Sequence, residues 1–353
     1  MATMTDTDFT DLVNSTLRSF DPKGRFNEIA ATLRGFEMMP RMMRDEADSV
    51  SSGGEGFHFH VMTASNGAAQ MVGLTDEDNV NFANVMARGF VPWRRSTTSY
   101  TVERRMLQEN SGASQLYKMI KAQRAAGMLS YAELLEAQGW GKPTDSSDVT
   151  SLWGIPHFVV KGTPTSTEGS FSGGNPAGFS DCAGLNSSTY TRWNNWTANY
   201  VNINKDDAVT QMRRAAQRTA FKSPVDIDDY SKGNGQRFRL YVNGNTRLAM
   251  ETVGENQNEN LGRDLSPMDG TGMSIAFRGS PIIDVAKLDA DTSNPIYMLD
   301  FNWMSFKFLE GDMFRESEAK EVPLRHNWRQ VFVDSSHNLV CTERSRQAVI
   351  WQA

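Results

Sequence analysis

The chain has 353 residues, of which 39% are hydrophobic, and its 36 basic and 42 acidic side chains give a formal net charge of −6. This balance excludes collagen and wholesale disorder, and a net-acidic chain is a poor candidate for wrapping nucleic acid by neutralising its phosphates. Large apolar side chains are nevertheless common, with 19 Met, 19 Phe, 8 Trp and 8 Tyr at a mean hydropathy of −0.50. Either a private core or partner molecules must cover them.

Residues 1–50 are predicted to form an arm. Apolar residues recur at helical spacing over 9–20 and again over 26–36, and a methionine cluster follows at 38–43. Neither stretch is long enough to bury its apolar side alone, so each needs a surface to lie on. That surface belongs either to the same chain or to a neighbouring subunit, and the pattern leaves both possibilities open.

A long hairpin is predicted after the arm. Residues 57–62 alternate in type as a strand does, Asn66-Gly67 is a typical hairpin turn, and residues 70–74 would form the returning strand. Strand character resumes over 97–102. The whole segment 56–102 has little core of its own, and such a hairpin is marginally stable in water unless it lies on something else.

The longest predicted helix covers residues 114–137, where apolar residues follow helical spacing, and Gly139 and Gly141 mark its end. Residues 143–200 are rich in glycine and irregular. Beyond the long helix, the predicted strands are 152–160, 238–242, 273–277, 281–285, 296–299, 306–309, 328–333, 339–341 and 348–351, and the predicted helices are 206–218 and 248–253. One long helix combined with antiparallel strands that lie far apart in sequence indicates the α+β class.

No catalytic constellation emerges from the residues. His58 and His60 would point to the same side of a strand and, with His157 as a third ligand, could hold a metal ion, although two solvated histidines are the plainer interpretation. The glycine-rich strings lack the following Lys-Ser/Thr of a phosphate-binding loop. The two cysteines, Cys182 and Cys341, form no pattern typical of a metal site or a disulfide framework, so we expect reduced thiols.

Targeting signals are also missing from the pattern. The first six residues, MATMTD, are polar and acidic and do not resemble a secretory signal. The sequence contains no apolar run of about 18 residues that would span a membrane. We therefore expect a protein that is made in a cytoplasm and that has no membrane partner.

Seven short strings, spread over nearly the whole chain, carry a resemblance to a known family. They are Val72–Val80, Val91–Tyr100, Trp140–Asp145, Gly173–Phe179, Trp193–Thr197, Asn258–Leu265 and Cys341–Ile350. None of them contains a catalytic motif. Together with the order of the predicted elements, they resemble a subgroup of the major capsid proteins of tailed double-stranded-DNA bacteriophages, which share the Hong Kong 97 phage fold.

This resemblance implies a division of the chain into five parts within an α+β, Hong Kong 97-type capsid fold. The parts are an N-terminal arm at 1–55, an extended E-loop at 56–101, a peripheral domain with the long spine helix at 102–140, an axial domain at 141–310, and return strands at 311–353 that lie mainly in the peripheral domain. The glycine-rich segment 162–192 would then be an elaboration of the axial domain.

The resemblance also implies a structural function without catalysis or cofactors. The chain would self-assemble into pentamers and hexamers of an icosahedral head that encloses double-stranded DNA, and it would be found in the virion after synthesis in the host bacterial cytoplasm. A separate scaffolding protein and a portal are the implied partners, with a decoration protein as an open possibility. The candidates for contact between subunits are Phe9, Phe20, Met39, Met43, Phe57, Phe59, Trp93, Arg94, Arg95, Arg104 and Arg105.

Two alternatives remain at this stage. An encapsulin-like shell protein would share the fold but would hold cargo enzymes instead of DNA. A metal-dependent enzyme would use His58, His60 and His157.

Overall fold

The computed structural model describes a mixed helix and sheet fold, which confirms the expected fold class. The described residues are 36–38, 40, 42, 50–51, 53–73, 77, 84–103, 113–219, 239–256, 265–267, 275–278 and 280–353. Six of the predicted contact residues lie outside these ranges, namely Phe9, Phe20, Met39, Met43, Arg104 and Arg105.

Strands outnumber helices in the described chain. The strands are β1 (Val50–Ser51), β2 (Gly56–Met62), β3 (Met86–Pro92), β4 (Arg94–Glu103), β5 (Ser170–Phe171), β6 (Trp196–Tyr200), β7 (Arg239–Val242), β8 (Leu265–Pro267), β9 (Ile275–Phe277), β10 (Ser280–Asp284), β11 (Ile296–Leu299), β12 (Met304–Leu309), β13 (Arg315–Glu316), β14 (Lys320–Val322), β15 (Arg325–Cys341) and β16 (Ala348–Gln352). The helices are α1 (Ala113–Gly139), α2 (Ile155–Phe158), α3 (Ala208–Thr219) and α4 (Gly244–Asn256), with 3-10 turns at Ala286–Ala290 and Arg344–Arg346.

A six-stranded sheet is organised around β15. This strand pairs antiparallel with β4, from Trp328 opposite Glu103 to His337 opposite Arg94, and with β12, β13 and β14. Helix α1 lies beside β4, where the hydroxyls of Tyr131 and Ser96 are 2.6 Å apart. The long helix expected over 114–137 is therefore confirmed, with one or two more residues at each end.

The structure has one long strand where the sequence predicted two, at 328–333 and 339–341. The polar residues between those segments suggested a break, but Ser335, Ser336 and Asn338 are buried within a continuous β15. The Asn338 amide explains how a polar side chain is accommodated there. Its Oδ1 accepts hydrogen bonds from the backbone N–H groups of Trp153 and Leu339, and its Nδ2 donates to the carbonyl of Pro92, so burial leaves neither end unpaired.

An eight-stranded sheet forms the second half of the fold, in the order β5-β6-β16-β11-β7-β10-β9-β8. Helix α3 packs against it through a buried face that includes Val209, Met212 and Ala216, while Gln217 and Arg218 face solvent, as expected for an amphipathic helix. The segment after β12 contributes to both sheets, because β15 belongs to the first and β16 to the second.

The predicted strand over 152–160 is wrong, because the structure has the short helix α2 there. Pro156 stands in its first turn, where the fixed φ of proline and its missing N–H suit a helix start. Ile155, His157 and Phe158 are all buried. A segment that is apolar all round shows no period, so strand and helix cannot be told apart by pattern alone.

The returning strand of the predicted hairpin was also misplaced. Strand β2 pairs with β3, from Gly56 opposite Pro92 to Met62 opposite Met86, and residues 70–73 are not in a strand. Asn66-Gly67 instead makes a local turn within the connecting loop, in which the Ala68 N–H donates to Asn66 Oδ1 at 3.2 Å. Gly89 allows β3 to pair with β2 beneath the Phe59 ring, because a Cβ at this position would lie only 2.4 Å from that ring.

Candidate assembly surfaces

The β2–β3 hairpin has two unlike faces. The inner face carries Phe57, Phe59 and Val61, and these side chains contact the hydrophobic core. Phe59 is only 7% exposed and its ring lies 6.0 Å from that of Trp193. Phe57 is half-buried, with Lys307 Nζ 5.4 Å above its ring. Of the two predicted contact residues on this strand, Phe59 is therefore already covered by its own chain.

The outer face of the same hairpin is exposed and holds both histidines that were predicted on it. Arg88 Nε donates a hydrogen bond to His58 Nδ1 at 3.1 Å, and the His58 ring lies 4.8 Å from that of Phe90. His60 stands opposite Arg88 in the register. The alternation of β2 brings the histidines to one side, as expected, but their neighbours there are a cation and an aromatic ring.

Apolar side chains are uncovered at the far end of the hairpin. Met62 and Met86 are register partners and are 50% and 49% exposed. In the loop beyond them Met71 is fully exposed and Val72 is more than half exposed. Several large apolar side chains exposed at one end of a hairpin and in its loop are typical of an interaction site.

Residues at the base of the hairpin form hydrogen bonds with backbone carbonyls of their own chain. Trp93 Nε1 donates to the carbonyl of Gly54 at 3.0 Å. The Arg94 guanidinium donates to the carbonyls of Val149 at 2.6 Å and Asp148 at 3.0 Å. Burial lowers the pKa of Arg94, and the Asp148 carboxylate partly offsets this. Arg94 thus serves its own chain.

Arg95 differs from its neighbour. It follows Arg94 on β4 opposite Ser336, and its side chain is exposed. Trp93 is half-buried. As contact residues between subunits, Trp93 and Arg95 stay predictions.

Part of the methionine cluster is covered by the same chain. Met38 and Met42 are buried in the core. The backbone N–H groups of Glu37 and Met38 both donate to Glu136 Oε2, at 3.0 and 2.9 Å, and Trp140 Nε1 donates to Glu136 Oε1 at 2.8 Å. The buried Glu136 carboxylate therefore anchors the end of the arm to α1. Nothing in the sequence signalled this role.

Arg344 is the largest fully buried side chain among the described residues, and it connects parts of the irregular segment 143–200. Its guanidinium donates to three backbone carbonyls, those of Phe158 at 2.7 Å, Trp193 at 3.0 Å and Gly174 at 2.7 Å. A fourth contact reaches Asn195 Oδ1 at 3.3 Å. Three distant parts of an irregular segment are thereby joined at one cation, which offers five donors in a fixed plane.

The third predicted metal ligand, His157, lies in the core. Its ring is stacked at 4.4 Å on that of Trp153 and approaches Phe179 at 4.8 Å. Burial, together with the positive charges of Arg344, Lys142 and Arg94, lowers its pKa to about 3. Within the described ranges, no three His, Cys, Asp or Glu side chains are placed to hold a metal ion. The metal-enzyme hypothesis therefore has no site to rest on there.

The described chain also lacks a helix with the length and apolar character needed to cross a membrane.

Both cysteines are buried and free, and burial raises the pKa of the Cys182 thiol to about 11.

Comparisons with known proteins give matches only at the level of structure. No protein-family profile and no curated protein sequence matches the chain. Among solved structures, a capsid asymmetric unit of cyanophage A-1(L) is 12% identical, with a TM-score of 0.53 over 92% of this chain and 96% of that one. The capsid of a native GTA particle is 13% identical, with a TM-score of 0.52 over 93% and 95%.

A third similar structure is a shell of another kind. The holo-SrpI encapsulin complex from Synechococcus elongatus PCC 7942 is 11% identical, with a TM-score of 0.51 over 97% of this chain and 94% of that one. Identities this low establish the fold and nothing finer. The matches nevertheless extend over nearly the full length of both partners in each case. The chain therefore has the Hong Kong 97-type capsid fold of tailed-phage shells, as the sequence resemblance implied.

Proposed function

We propose that this chain is the major capsid protein of a tailed bacteriophage. Copies of it form pentamers and hexamers of an icosahedral head, which encloses double-stranded DNA without reading its sequence. The protein is structural and works in the virion, after synthesis in the host bacterial cytoplasm. A separate scaffolding protein and a portal take part in assembly.

The observation that carries the proposal is the uncovered far end of the β2–β3 hairpin. Met62, Met71, Val72 and Met86 are exposed there, on a chain whose fold matches that of a cyanophage capsid subunit. An extended hairpin with apolar side chains at its end gains stability when it lies on a neighbouring copy. Head-to-tail contacts of that kind close into rings when they are repeated by rotation.

Electron microscopy of the purified recombinant chain tests the proposal directly. We expect shells, rings or tubes. A stable, monodisperse monomer that resists association with and without a candidate scaffolding protein would overturn it.

Deleting residues 67–81 tests the part played by the hairpin loop. We expect a folded subunit, because the β2–β3 pairs and the inner-face contacts lie outside the deletion. We also expect no shells, because the exposed Met71 and Val72 are lost. Circular dichroism and electron microscopy measure the two outcomes. Normal assembly of the deleted chain would show that the loop is not the contact segment.

An encapsulin-like shell is the second candidate, favoured by one observation. The encapsulin structure matches this chain about as well as the phage capsids do, with TM-scores of 0.51 and 0.53. The sequence strings, however, resemble those of phage coat proteins. The contents of particles from the native source distinguish the two. Nuclease-protected double-stranded DNA supports a phage head, whereas a co-purified cargo enzyme without DNA supports the encapsulin alternative.

A further inference from the structure

The sequence contains three Asn-Gly pairs, at 66–67, 234–235 and 243–244. An asparagine in such a pair is open to attack by the backbone on its side-chain amide, because glycine has no Cβ to shield its N–H and rotates freely about φ and ψ. The pair at 234–235 lies outside the described residues. The other two pairs have opposite surroundings, so the structure distinguishes them.

Asn66 and Gly67 lie in the exposed loop beyond β2. Gly67 has a φ of +66°, and none of the described residues accepts a hydrogen bond from its N–H. The Ala68 N–H donates to Asn66 Oδ1 at 3.2 Å, which turns the Asn66 amide back toward the following peptide bond. The same donor stabilises the negative charge that develops on Oδ1 when a nucleophile adds to the amide carbon, Cγ.

Asn243 and Gly244 are protected where the first pair is open. Asn243 is 1% exposed, its Oδ1 accepts from the Thr246 N–H at 2.9 Å, and its Nδ2 donates to Asn294 Oδ1. The Gly244 N–H donates to Asp289 Oδ1 at 2.9 Å, at the start of α4. The attacking nitrogen and the amide are therefore both held by other partners.

We infer that Asn66 is a site of spontaneous covalent modification, at which the folded chain converts asparagine to aspartate and isoaspartate. The Gly67 nitrogen attacks Asn66 Cγ, and a bond from this nitrogen to Cγ replaces the Cγ–Nδ2 bond. The Nδ2 group leaves as ammonia and carries away the proton of the Gly67 N–H. Water then opens the resulting cyclic imide at either of its carbonyls, which gives aspartate or isoaspartate. Water is the only reactant that the chain does not itself supply.

The conversion changes the loop in two ways. Each event replaces a neutral amide with a carboxylate, which takes the formal net charge of the chain from −6 to −7. The isoaspartate product also routes the main chain through the side-chain carbon and so lengthens the loop by one methylene. Both changes lie shortly before the exposed Met71 and Val72. The inference does not depend on the proposed function, because it concerns the chemistry of a single subunit.

Peptide mapping by mass spectrometry tests the inference on dilute, unassembled subunits incubated at neutral pH. We expect aspartate and isoaspartate to form at position 66 at least about tenfold faster than at position 243, because Asn243 reacts only after local opening of the fold. In urea, where both surroundings are lost, the two positions should convert at similar rates. A folded chain in which position 66 converts no faster than position 243 would overturn the inference.

Two substitutions in the loop are the matched controls. Asn66→Gln keeps an amide but would require a larger ring, so we expect no measurable conversion at position 66. Gly67→Ala adds a Cβ beside the attacking nitrogen and disfavours the positive φ, so conversion of Asn66 should slow at least several-fold. Circular dichroism checks that both variants fold, as expected for exposed positions. Conversion of either variant at the wild-type rate would contradict attack by the Gly67 nitrogen.

Discussion

At the scale of single residues, the most consequential side chain is Arg344. Its guanidinium donates hydrogen bonds to three backbone carbonyls that belong to separate parts of segment 143–200. Segment 143–200 contains few regular elements, so its carbonyls cannot all pair within helices or strands, and a buried acceptor without a donor is costly. The guanidinium therefore supplies hydrogen-bond donors to these carbonyls, as the N–H groups of a neighbouring strand would in a sheet.

We expect Arg344→Leu to lower the free energy of unfolding by about 3–5 kcal/mol, because it leaves three buried carbonyls without a donor. Arg344→Lys should recover part of this loss, since an ammonium keeps the charge but cannot reach all three acceptors from one plane. Urea denaturation of unassembled subunits measures both changes.

Arg95→Ala is the matched control for Arg344, because it removes an exposed guanidinium. We expect it to change the free energy of unfolding by about 0.5 kcal/mol or less. If Arg344→Leu proves as mild as Arg95→Ala, the carbonyl cluster does not hold the segment.

Neither Arg344 nor Glu136 could have been recognised from the sequence. In the sequence, Arg344 lies two residues before another arginine, Arg346, and Glu136 is one of several charged residues within the predicted helix 114–137, so neither position is distinctive. Glu136 accepts from arm residues that are 98 and 99 positions away, and the three carbonyls that Arg344 binds are 151 to 186 positions away. Local pattern carries no information about contacts at that separation, so only the folded chain reveals them.

At the scale of elements, the two faces of the β2–β3 hairpin have separate tasks. The inner face belongs to the core of the subunit, whereas Met62 and Met86 at its end leave about half of their side-chain surface in water. Stability of the subunit and assembly of the shell should therefore respond to different residues of one hairpin.

We expect the double substitution Met62→Ser and Met86→Ser to leave the unfolding midpoint of the subunit nearly unchanged and to reduce the yield of shells at least several-fold. Both side chains are half exposed, so the subunit loses little buried area, while the neighbouring copy loses an apolar contact. Sedimentation of assembled material and urea denaturation are the two measurements.

Leu248→Ser provides the comparison for the hairpin variant. Leu248 is an exposed apolar side chain on α4, away from the hairpin. We expect shells at the wild-type yield. Equal losses in the two variants would indicate a general loss of apolar surface and contradict a specific role for the hairpin end.

Elements with a clear period were predictable, and elements defined by their partners were not. Helix α1 and strand β2 carry periods of about 3.6 and 2 and were placed to within about two residues. Strand β15 could not be read as one element, because its buried polar residues become acceptable only through the ladders with β4 and β12 and through the amide contacts of Asn338. Strand β3 was missed for a similar reason. Glycine is disfavoured inside strands, and only the fold shows that Gly89 is needed there, because the Phe59 ring occupies the space that a Cβ would fill.

At the scale of the whole molecule, two buried histidines make the fold sensitive to acid. Burial, together with three nearby cations, lowers the pKa of His157 to about 3, and burial lowers that of His337 to about 4. An unfolded histidine titrates near 6.5, so below that pH the unfolded chain binds protons that the folded chain excludes. Stability from these groups is complete above pH 6.5 and is lost progressively as the pH falls toward 4 and then 3.

Between pH 7.5 and pH 5, we expect His157 and His337 each to lower the free energy of unfolding of the subunit by about 2 kcal/mol. In His157→Leu, the loss of unfolding free energy that the two histidines cause between these pH values should be about half as large, because the leucine side chain does not titrate. Urea denaturation at the two pH values tests this. The same pH dependence in His157→Leu and in the wild type would exclude His157 as a source of the acid sensitivity.

The overall fold was predicted from family resemblance, whereas the individual helices and strands were predicted from periodicity. The resemblance of a few strings to phage coat proteins implied the Hong Kong 97-type fold, and the structural matches confirm it. Pattern alone reached only the α+β class, because the two sheets join strands that are far apart in sequence, such as β4 with β15 and β6 with β16.

The position of β16 has a consequence for how the protein is made on the ribosome. Among the eight strands of its sheet β16 is the last to be synthesised, yet it lies between β6 and β11 and pairs with both. Until it emerges, β5 and β6 have no ladder to the strands from β11 to β8. A nascent chain that stops before residue 348 therefore leaves this sheet in two pieces. Such a product cannot complete this sheet, so the last five-residue strand decides whether the eight strands join at all.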